Sequence, residues 1–360
     1  MKKKHTKLKI VLIILLVGIV AFLAYAMLSG KISLFNKDNK GNEQKEEEKT
    51  VKEEEPPVPP TPKLKIINLE SKTRPIGIMV DNEKGAWPQA GLQEAFLIYE
   101  IIVEGGETRF FALYKDSTAS MIGPDRSARH YFLDYAMEND AIFIHFGFSP
   151  QAQSDINKFG INNISGTQAD GGAFWREKVI TTSWQNCFTS ISNLTSKATA
   201  KGYRMTSEAT PLLNYSVAEI EPMLNVDAKL ANVVRINYSK SHYVTYEYDA
   251  INKIYKRNMR GLPHADRVTG AQLTAKNIII YNVRNYPLND EPGKGRQGID
   301  NIGSGDGYYI TDGYSIPIKW EKVSRSAKTV YRDLAGNEIK VNDGNTFIHL
   351  QPLYQTLTIE

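Results

Sequence analysis

Four apolar runs punctuate the first half of the region that can fold. Residues 75–80 (PIGIMV), 95–103 (AFLIYEIIV), 108–114 (TRFFALY) and 141–148 (AIFIHFGF) are short, rich in β-branched and aromatic residues, and bounded by turn formers. Runs of that length and composition predict buried strands. Between the last two, residues 125–140 (DRSARHYFLDYAMEND) carry apolar side chains at three- and four-residue spacing, which predicts a helix starting near Asp125. Pro150 opens a second helix over QAQSDINKFG, and residues 186–202 predict a third. Mixed signals of this kind indicate an α/β layer with a mixed sheet.

The pattern changes around residues 212–227, after which the helix signals vanish. Residues 232–239, 243–258, 277–283, 307–323, 329–341 and 345–352 alternate or run apolar, separated by Asn, Asp and Gly. DAINK (249–253) and DLAGNE (333–338) read as hairpin turns. The fold class is therefore α+β: an N-terminal α/β domain with a mixed sheet (64–222), then a β-rich domain (223–360), a sandwich or rolled sheet.

Upstream the pattern is of another kind. A basic stub (1–9) precedes an uncharged apolar run, Ile10 to Leu28, about the length that spans a bilayer. Lysines before the run place the stub in the cytoplasm and everything after it outside. A cleaved signal peptide is the alternative, since Ala24-Tyr25-Ala26 has the small-x-small form of a cleavage site; the length of the run favours an uncleaved single-pass anchor. Residues 29–63 become acidic and end in prolines, a disordered tether that cannot bury a core.

Charge removes one class of partner. Residues 1–63 hold twelve Lys/Arg and eight Asp/Glu, which accounts for the net +4 and leaves thirty-two of each sign beyond. A neutral ectodomain has no general attraction for phosphate backbones, so nucleic acid is not expected. Cys187 is the single cysteine, so no intrachain disulfide forms. The four N-x-S/T matches, at Asn163, Asn193, Asn214 and Asn237, are read as chance.

Three stretches carry candidate chemistry. In VEGGETRF a two-glycine turn separates Glu104 from Arg109; the two face a shared ligand or simply bridge across the hairpin. In GPDRSARHY, Asp125 or Ser127 caps the expected helix, and Arg126 and Arg129 add cations to its positive end. That geometry cradles an anion, unless the arginines pair internally with Glu104, Asp134 or Glu138. In IFIHFGFS, His145 lies in a strand with Ser149 just beyond it. If the strands bearing Glu104 and His145 are neighbours, Glu104, Arg109, Arg126, Arg129, His145 and Ser149 line one pocket. Weaker candidates are Trp175 as a stacking platform, Arg176 as a further cation, and His264 with Asp266 in a second-domain loop, where turn chemistry is the simpler account. GIDNIGSGDGYY lacks the strand-to-helix setting of a phosphate loop, and no metal or cofactor motif is present.

These blocks resemble a known family. RPIGIMVDN, PQAGLQEAFLIYEIIVEGGETRF and GPDRSARHYFLDYAMENDAIFIHFGFS are similar to signature blocks of the YerB-like lipoproteins of Gram-positive bacteria. GLPHADRVTGAQLTAKNIIIYNV, GSGDGYYITDGYSIPIKWEK and DLAGNEIKVNDGNTFIHLQP resemble that family's C-terminal domain. The resemblance implies two domains of unassigned function behind a membrane attachment. It maps the family pattern onto Glu104, Gly105, Gly106, Thr108, Arg109, Gly123, Pro124, Arg126, Ser127, Ala128 and Arg129. The chain departs from the pattern in lacking a lipidated cysteine, in Trp87 before Pro88-Gln89 where an arginine is expected, and in Gln185 where a histidine is usual.

The expectation is a cell-membrane protein whose C-terminal domains bind an anionic or sugar-peptide wall ligand, or an envelope protein, through the Arg/Glu residues. One alternative is a wall-active enzyme with Glu104 as acid and His145 or Asp134 as base. The other is a structural assembly factor whose charges are all internally paired.

Overall fold

In the computed structural model, residues 66–167, 170–177 and 185–360 are described. The basic stub, the apolar run and the tether lie outside them, and with them the expected membrane span. Among the described residues, no helix is long and apolar enough to cross a membrane.

The four runs of the first half become β1 (Ile76–Asp81), β2 (Leu97–Ile102), β3 (Thr108–Tyr114) and β4 (Ile142–His145), joined by β5 (Asn163–Ser165). Their order is β2-β3-β1-β4-β5. β3 is antiparallel to both neighbours, whereas β1, β4 and β5 run in parallel, so the sheet is mixed. β1, β2 and β3 are buried at every position, which is why they read as continuous apolar runs instead of alternating. Three helices follow: α1 (Phe132–Glu138), α2 (Pro150–Lys158) and α3 (Ile191–Ala200). Ser149 caps α2 by accepting from the Ala152 amide, and Ser190 caps α3 from Asn193.

The helix expected from Asp125 begins only at Phe132. Its first residues are drawn instead into an extended strap between the ends of β1 and β4. The Asp81 and Arg126 amides donate to Pro124 O and Met79 O, the Ala128 amide donates to Gly147 O, and Ser149 N donates to Ala128 O. With those backbone groups committed to neighbouring strands, tertiary pairing overrides the helical spacing. The anion cradle at a helix start is therefore absent at Asp125.

Beyond Ala200 the described chain is built of strands apart from one short 3-10 turn at Pro222–Leu224. β6 (Val233–Asn237), β7 (Tyr243–Asp249), β8 (Ile254–Met259) and, far along the chain, Leu357–Ile359 form one sheet with two short strands. β9 (Asn277–Pro287), β10 (Gly303–Thr311), β11 (Tyr314–Lys322), β12 (Val330–Arg332) and β13 (Thr346–Pro352) do not close a separate sheet. They extend the first one, in the order β12-β11-β10-β9-β13-β2, through parallel pairing of Leu97–Ile101 with Thr346–Leu350. The strand Leu357–Ile359 is β14. Both expected hairpins form, at 249–253 between β7 and β8 and at 333–338 after β12.

A buried acid fastens the smaller sheet to the larger. Glu100, on β2, takes Arg257 Nη2 of β8 at 2.7 Å and Thr108 Oγ1 at 2.9 Å, with both ionic side chains fully buried. Arg257 Nε and Nη1 have no hydrogen-bond partner, but its guanidinium lies 5.2–5.6 Å from the ring centres of Phe110, Tyr246 and Phe347. Burial opposes ionisation of Glu100, yet the Arg257 charge and the His242 hydrogen bond outweigh it and hold the carboxyl far below its usual range. His349, between Tyr238 and Tyr246 hydroxyls at 2.8 and 3.0 Å, is pushed down to about 3 by burial and stays neutral. A second buried pair, Lys322 Nζ to Glu138 Oε2 at 2.6 Å, ties β11 to α1.

Removing one partner of such a pair strands the other in the interior, at a cost of about 3–5 kcal/mol. Arg257→Met is expected to lose that much in urea unfolding followed by tryptophan fluorescence. Glu100→Gln in the Arg257→Met background, which removes the stranded charge, is expected to recover part of it; an additive double loss would contradict the pairing.

Candidate functional site

The carboxyl ends of β1, β2 and β4 fall on one edge of the sheet, and an open cleft of about 480 Å³ lies there. Its shape begins with the glycines. Gly105 and Gly106 have φ of 69° and 74°, a left-handed turn that favours glycine, and a Cβ on Gly106 would come within 2.8 Å of Ser239. The turn leaves Glu104 and Glu107 on the cleft wall, and in the register of β3 Arg109 stands opposite Asp81 of β1 and Ile101 of β2. The strap of residues 124–128 brings Arg126 and Ser127 to the opposite side, with Arg129 just beyond.

Arg129 clasps Glu104 with Nε at 2.5 Å from Oε1 and Nη2 at 3.0 Å from Oε2. Arg109 Nη2 lies 3.7 Å from the same carboxylate, and its Nη1 donates to Ser127 O at 2.5 Å. Arg126 Nε sits 3.1 Å from Asp81 Oδ2, but neither atom has an aligned hydrogen bond, so the contact is one of charge alone. Arg109 Nε is also buried without a partner. Glu83 accepts from Gln185, and Glu107 holds His242 Nδ1 at 2.8 Å together with Arg260. At the rim Arg296 is engaged by Asp290 at 2.8 Å and Glu291 at 3.3 Å.

Three guanidiniums, of Arg109, Arg126 and Arg129, thus stand among three carboxylates: Asp81 and Glu104 in ion pairs, and Glu83, which feels the Arg126 and Arg109 charges from the same cleft. Burial and the neighbouring Arg129 and Arg126 charges bring Arg109 down to about 9, against the pull of Asp81 and Glu104. Burial also disfavours the charged form of Glu104, but the Arg129 hydrogen bond and the charges of Arg129 and Arg109 win and hold it below the usual carboxylate range. A general acid needs the opposite shift.

The other sequence candidates lie elsewhere. His145 is two strands away from Glu104, because β3 and β1 intervene between β2 and β4. Its Nδ1 faces Gly147 O at 2.7 Å, its Nε2 faces Asn163 Oδ1 at 3.2 Å, and burial lowers its pKa. Ser149 is the α2 cap. Asp134 is buried against Arg325 at 2.7 Å and Asn301 at 3.0 Å, and burial raises it to about 6. Trp175 donates to Glu177, and Arg176 donates to Asn186 with its guanidinium 5.0 Å from the Phe146 ring centre. His264 Nε2 faces Gln89 Oε1 at 2.6 Å, and Asp266 accepts from the amides of Val268 and Thr269, which is turn chemistry, and from the distant Gly91 amide.

The comparisons with known proteins agree with this architecture. Residues 62–204 match the family described as "Protein of unknown function (DUF3048) N-terminal domain", and 234–348 match its C-terminal domain. The chain is 31% identical over 295 residues to the candidate lipoprotein YerB of Bacillus subtilis (strain 168), covering 80% of this chain and 84% of that protein. The chain belongs to the YerB-like DUF3048 family. The crystal structure of YerB protein from Bacillus subtilis superposes with a TM-score of 0.70 at 28% identity, over 80% of this chain and 94% of that one.

Within the DUF3048 fold, the two positions at which this chain departs from the expected pattern lie behind cleft-lining residues. Gln185 bonds Glu83, and Trp87 lies under the Arg260 guanidinium, 5.3 Å from its ring centre, while Arg260 holds Glu107. Sequence reasoning did not find Asp81, Glu83, Glu107, Lys294 or Arg296. Asp81 left a signal, a carboxylate closing an otherwise apolar strand; Lys294 and Arg296 sit in a polar loop and left none.

Asp125 is the unusual member of the strap. It is fully buried, neither carboxyl oxygen has a hydrogen-bond partner, and desolvation raises it well above the carboxylate range. The folded state therefore keeps a proton that the unfolded state releases, and stability falls as pH climbs from the unfolded value towards the folded one. Asp125→Asn is expected to raise the melting temperature at pH 7 and to change it little near pH 3; equal shifts at both would show that ionisation is not the cause.

Proposed function

We propose that the protein is a membrane-attached, extracytoplasmic envelope protein that holds an anionic group of a cell-wall ligand in the Arg109–Arg126–Arg129 cleft. The observation that carries the reading is that Arg109 Nε and Arg126 Nε lack hydrogen-bond acceptors beside an open cleft. A carboxylate or phosphate accepts those N–H groups. A cleft of about 480 Å³ is of the size that takes a small ligand or one end of a larger one. The basic stub and apolar run support attachment by a helix, and the relative named as a lipoprotein supports the same side of the membrane. Glu104 serves in this reading as the counter-ion that orients Arg129, and its lowered pKa argues against its acting as a general acid.

Purified muropeptides incubated with the full-length chain test both parts. Retention with unchanged masses is expected. Arg126→Gln, whose side chain is a quarter exposed, removes one charge-assisted bond worth about 1.5–3 kcal/mol and should weaken retention roughly 10- to 100-fold. New masses that disappear with Glu104→Gln would make the protein an enzyme instead, and undiminished retention by Arg126→Gln would place the ligand elsewhere.

A further inference from the structure

A second concavity, of about 560 Å³, lies in the C-terminal half and has a different character. Its floor is a face of the large sheet, where Pro317 pairs across from Tyr308 and Asn282 from Gln351. One wall is β14. That strand pairs only with β6 and forms an edge of its sheet. The register fixes which of its backbone groups are free. Val233 and Glu360 exchange both N–H···O bonds at 2.9 Å, and Asn237 N donates to Thr356 O. In an antiparallel ladder the bonded positions alternate, so residues 356, 358 and 360 face β6. The N–H and C=O of Leu357 and Ile359, two residues that line the concavity, consequently point away from β6, and among the described residues no hydrogen bond reaches them.

Two of the lining side chains are apolar and exposed. Leu230 is 60% and Leu353 is 52% exposed, and nearby in the chain Val226 is 96% exposed. Charge is nearly absent: Asp227 and Lys229 offset one another, and the remaining lining is neutral. An unpaired strand edge beside exposed apolar side chains is the arrangement that takes up an added strand.

We propose that this groove binds a short, extended, uncharged polypeptide segment as an additional strand on β14, with alternate apolar side chains against Leu230 and Leu353. The neutral lining disfavours an anionic polymer or a lipid surface. This segment is separate from the anionic ligand of the arginine cleft and does not depend on it.

The probes are three end-blocked, fluorescein-labelled hexapeptides alternating Val/Thr, Leu/Ser and Ile/Gln, titrated into the full-length chain in detergent micelles and read by fluorescence anisotropy. At least one is expected to bind, with hydrogen–deuterium exchange slowed at residues 357–359 and 229–230. N-methylation of alternate peptide amides should weaken binding at least tenfold in one of the two phases and little in the other. Ile359→Pro, which deletes an unpaired N–H and no ladder bond, should also weaken it at least tenfold. If that variant lowers the unfolding midpoint, Leu230→Asp serves in its place, since it leaves the strand edge intact and puts a charge in the apolar part of the lining. The proposal is overturned if no hexapeptide binds, if binding ignores both N-methylation phases, or if tetra-N-acetylchitotetraose protects the same residues while the peptides do not.

Discussion

The structure turns on a single carboxylate, Glu100, placed in the middle of a strand that is buried on both faces. No apolar environment tolerates that charge unless it is paired and hydrogen-bonded, and the first half of the chain supplies only Asn82 and Thr108. The cation comes from β8, more than 150 residues later, and the remaining polar partners, His242 and His349, come from the same half. The N-terminal sheet is therefore incomplete in charge until the C-terminal half is folded against it. Parallel pairing of β2 with β13 makes it incomplete in hydrogen bonds as well. Both demands are met by one docking event, which explains why a single sheet runs through both halves.

The same network reaches the cleft. His242 stands between the two acids, with Nε2 3.5 Å from Glu100 and Nδ1 2.8 Å from Glu107. Burial works against its protonation, but hydrogen bonds and charges from both acids overcome that and raise its pKa. Glu107 is in turn held ionised by His242 and Arg260 against the effect of burial. The wall of the cleft is thus fixed from behind by residues of the C-terminal half, and Arg109 and Glu104 present their charges from a backbone that has little freedom to adjust. Preorganisation of this kind lets a cleft keep unsatisfied N–H groups that a looser surface would turn to solvent.

Much of the fold was legible. Buried strands announce themselves as unbroken apolar runs, and the loss of three-to-four spacing after residue 212 marks the β-rich half. What the sequence hid is of one kind: contacts whose partners lie far apart in the chain. The strap at residues 124–128 has helical spacing and becomes extended because the ends of β1 and β4 claim its amides. Strand order is equally non-local, and it separates His145 from Glu104 by two strands although both end apolar runs. For the cleft, Glu104, Arg109, Arg126 and Arg129 were legible as charges out of place near the core. Asp81 and Glu107 were not, since a carboxylate at a strand end or in a turn is ordinary until the register shows what faces it.

Charge out of place is also what separates the arginine cleft from the rest of the molecule's ion pairs. Glu100–Arg257 and Glu138–Lys322 are fully buried pairs held among protein groups. Glu100–Arg257 also reaches the cleft through His242, so its charge is fixed by the fold. At the cleft, by contrast, Arg109 and Arg129 lean on one carboxylate, and Arg126 meets Asp81 without an aligned hydrogen bond. Crowding like charges at an open edge costs stability where their N–H groups lack aligned acceptors, as at Arg109 Nε and Arg126 Nε. That open cleft beside unsatisfied N–H groups is the physical reason the proposed ligand is sought at this edge of the sheet.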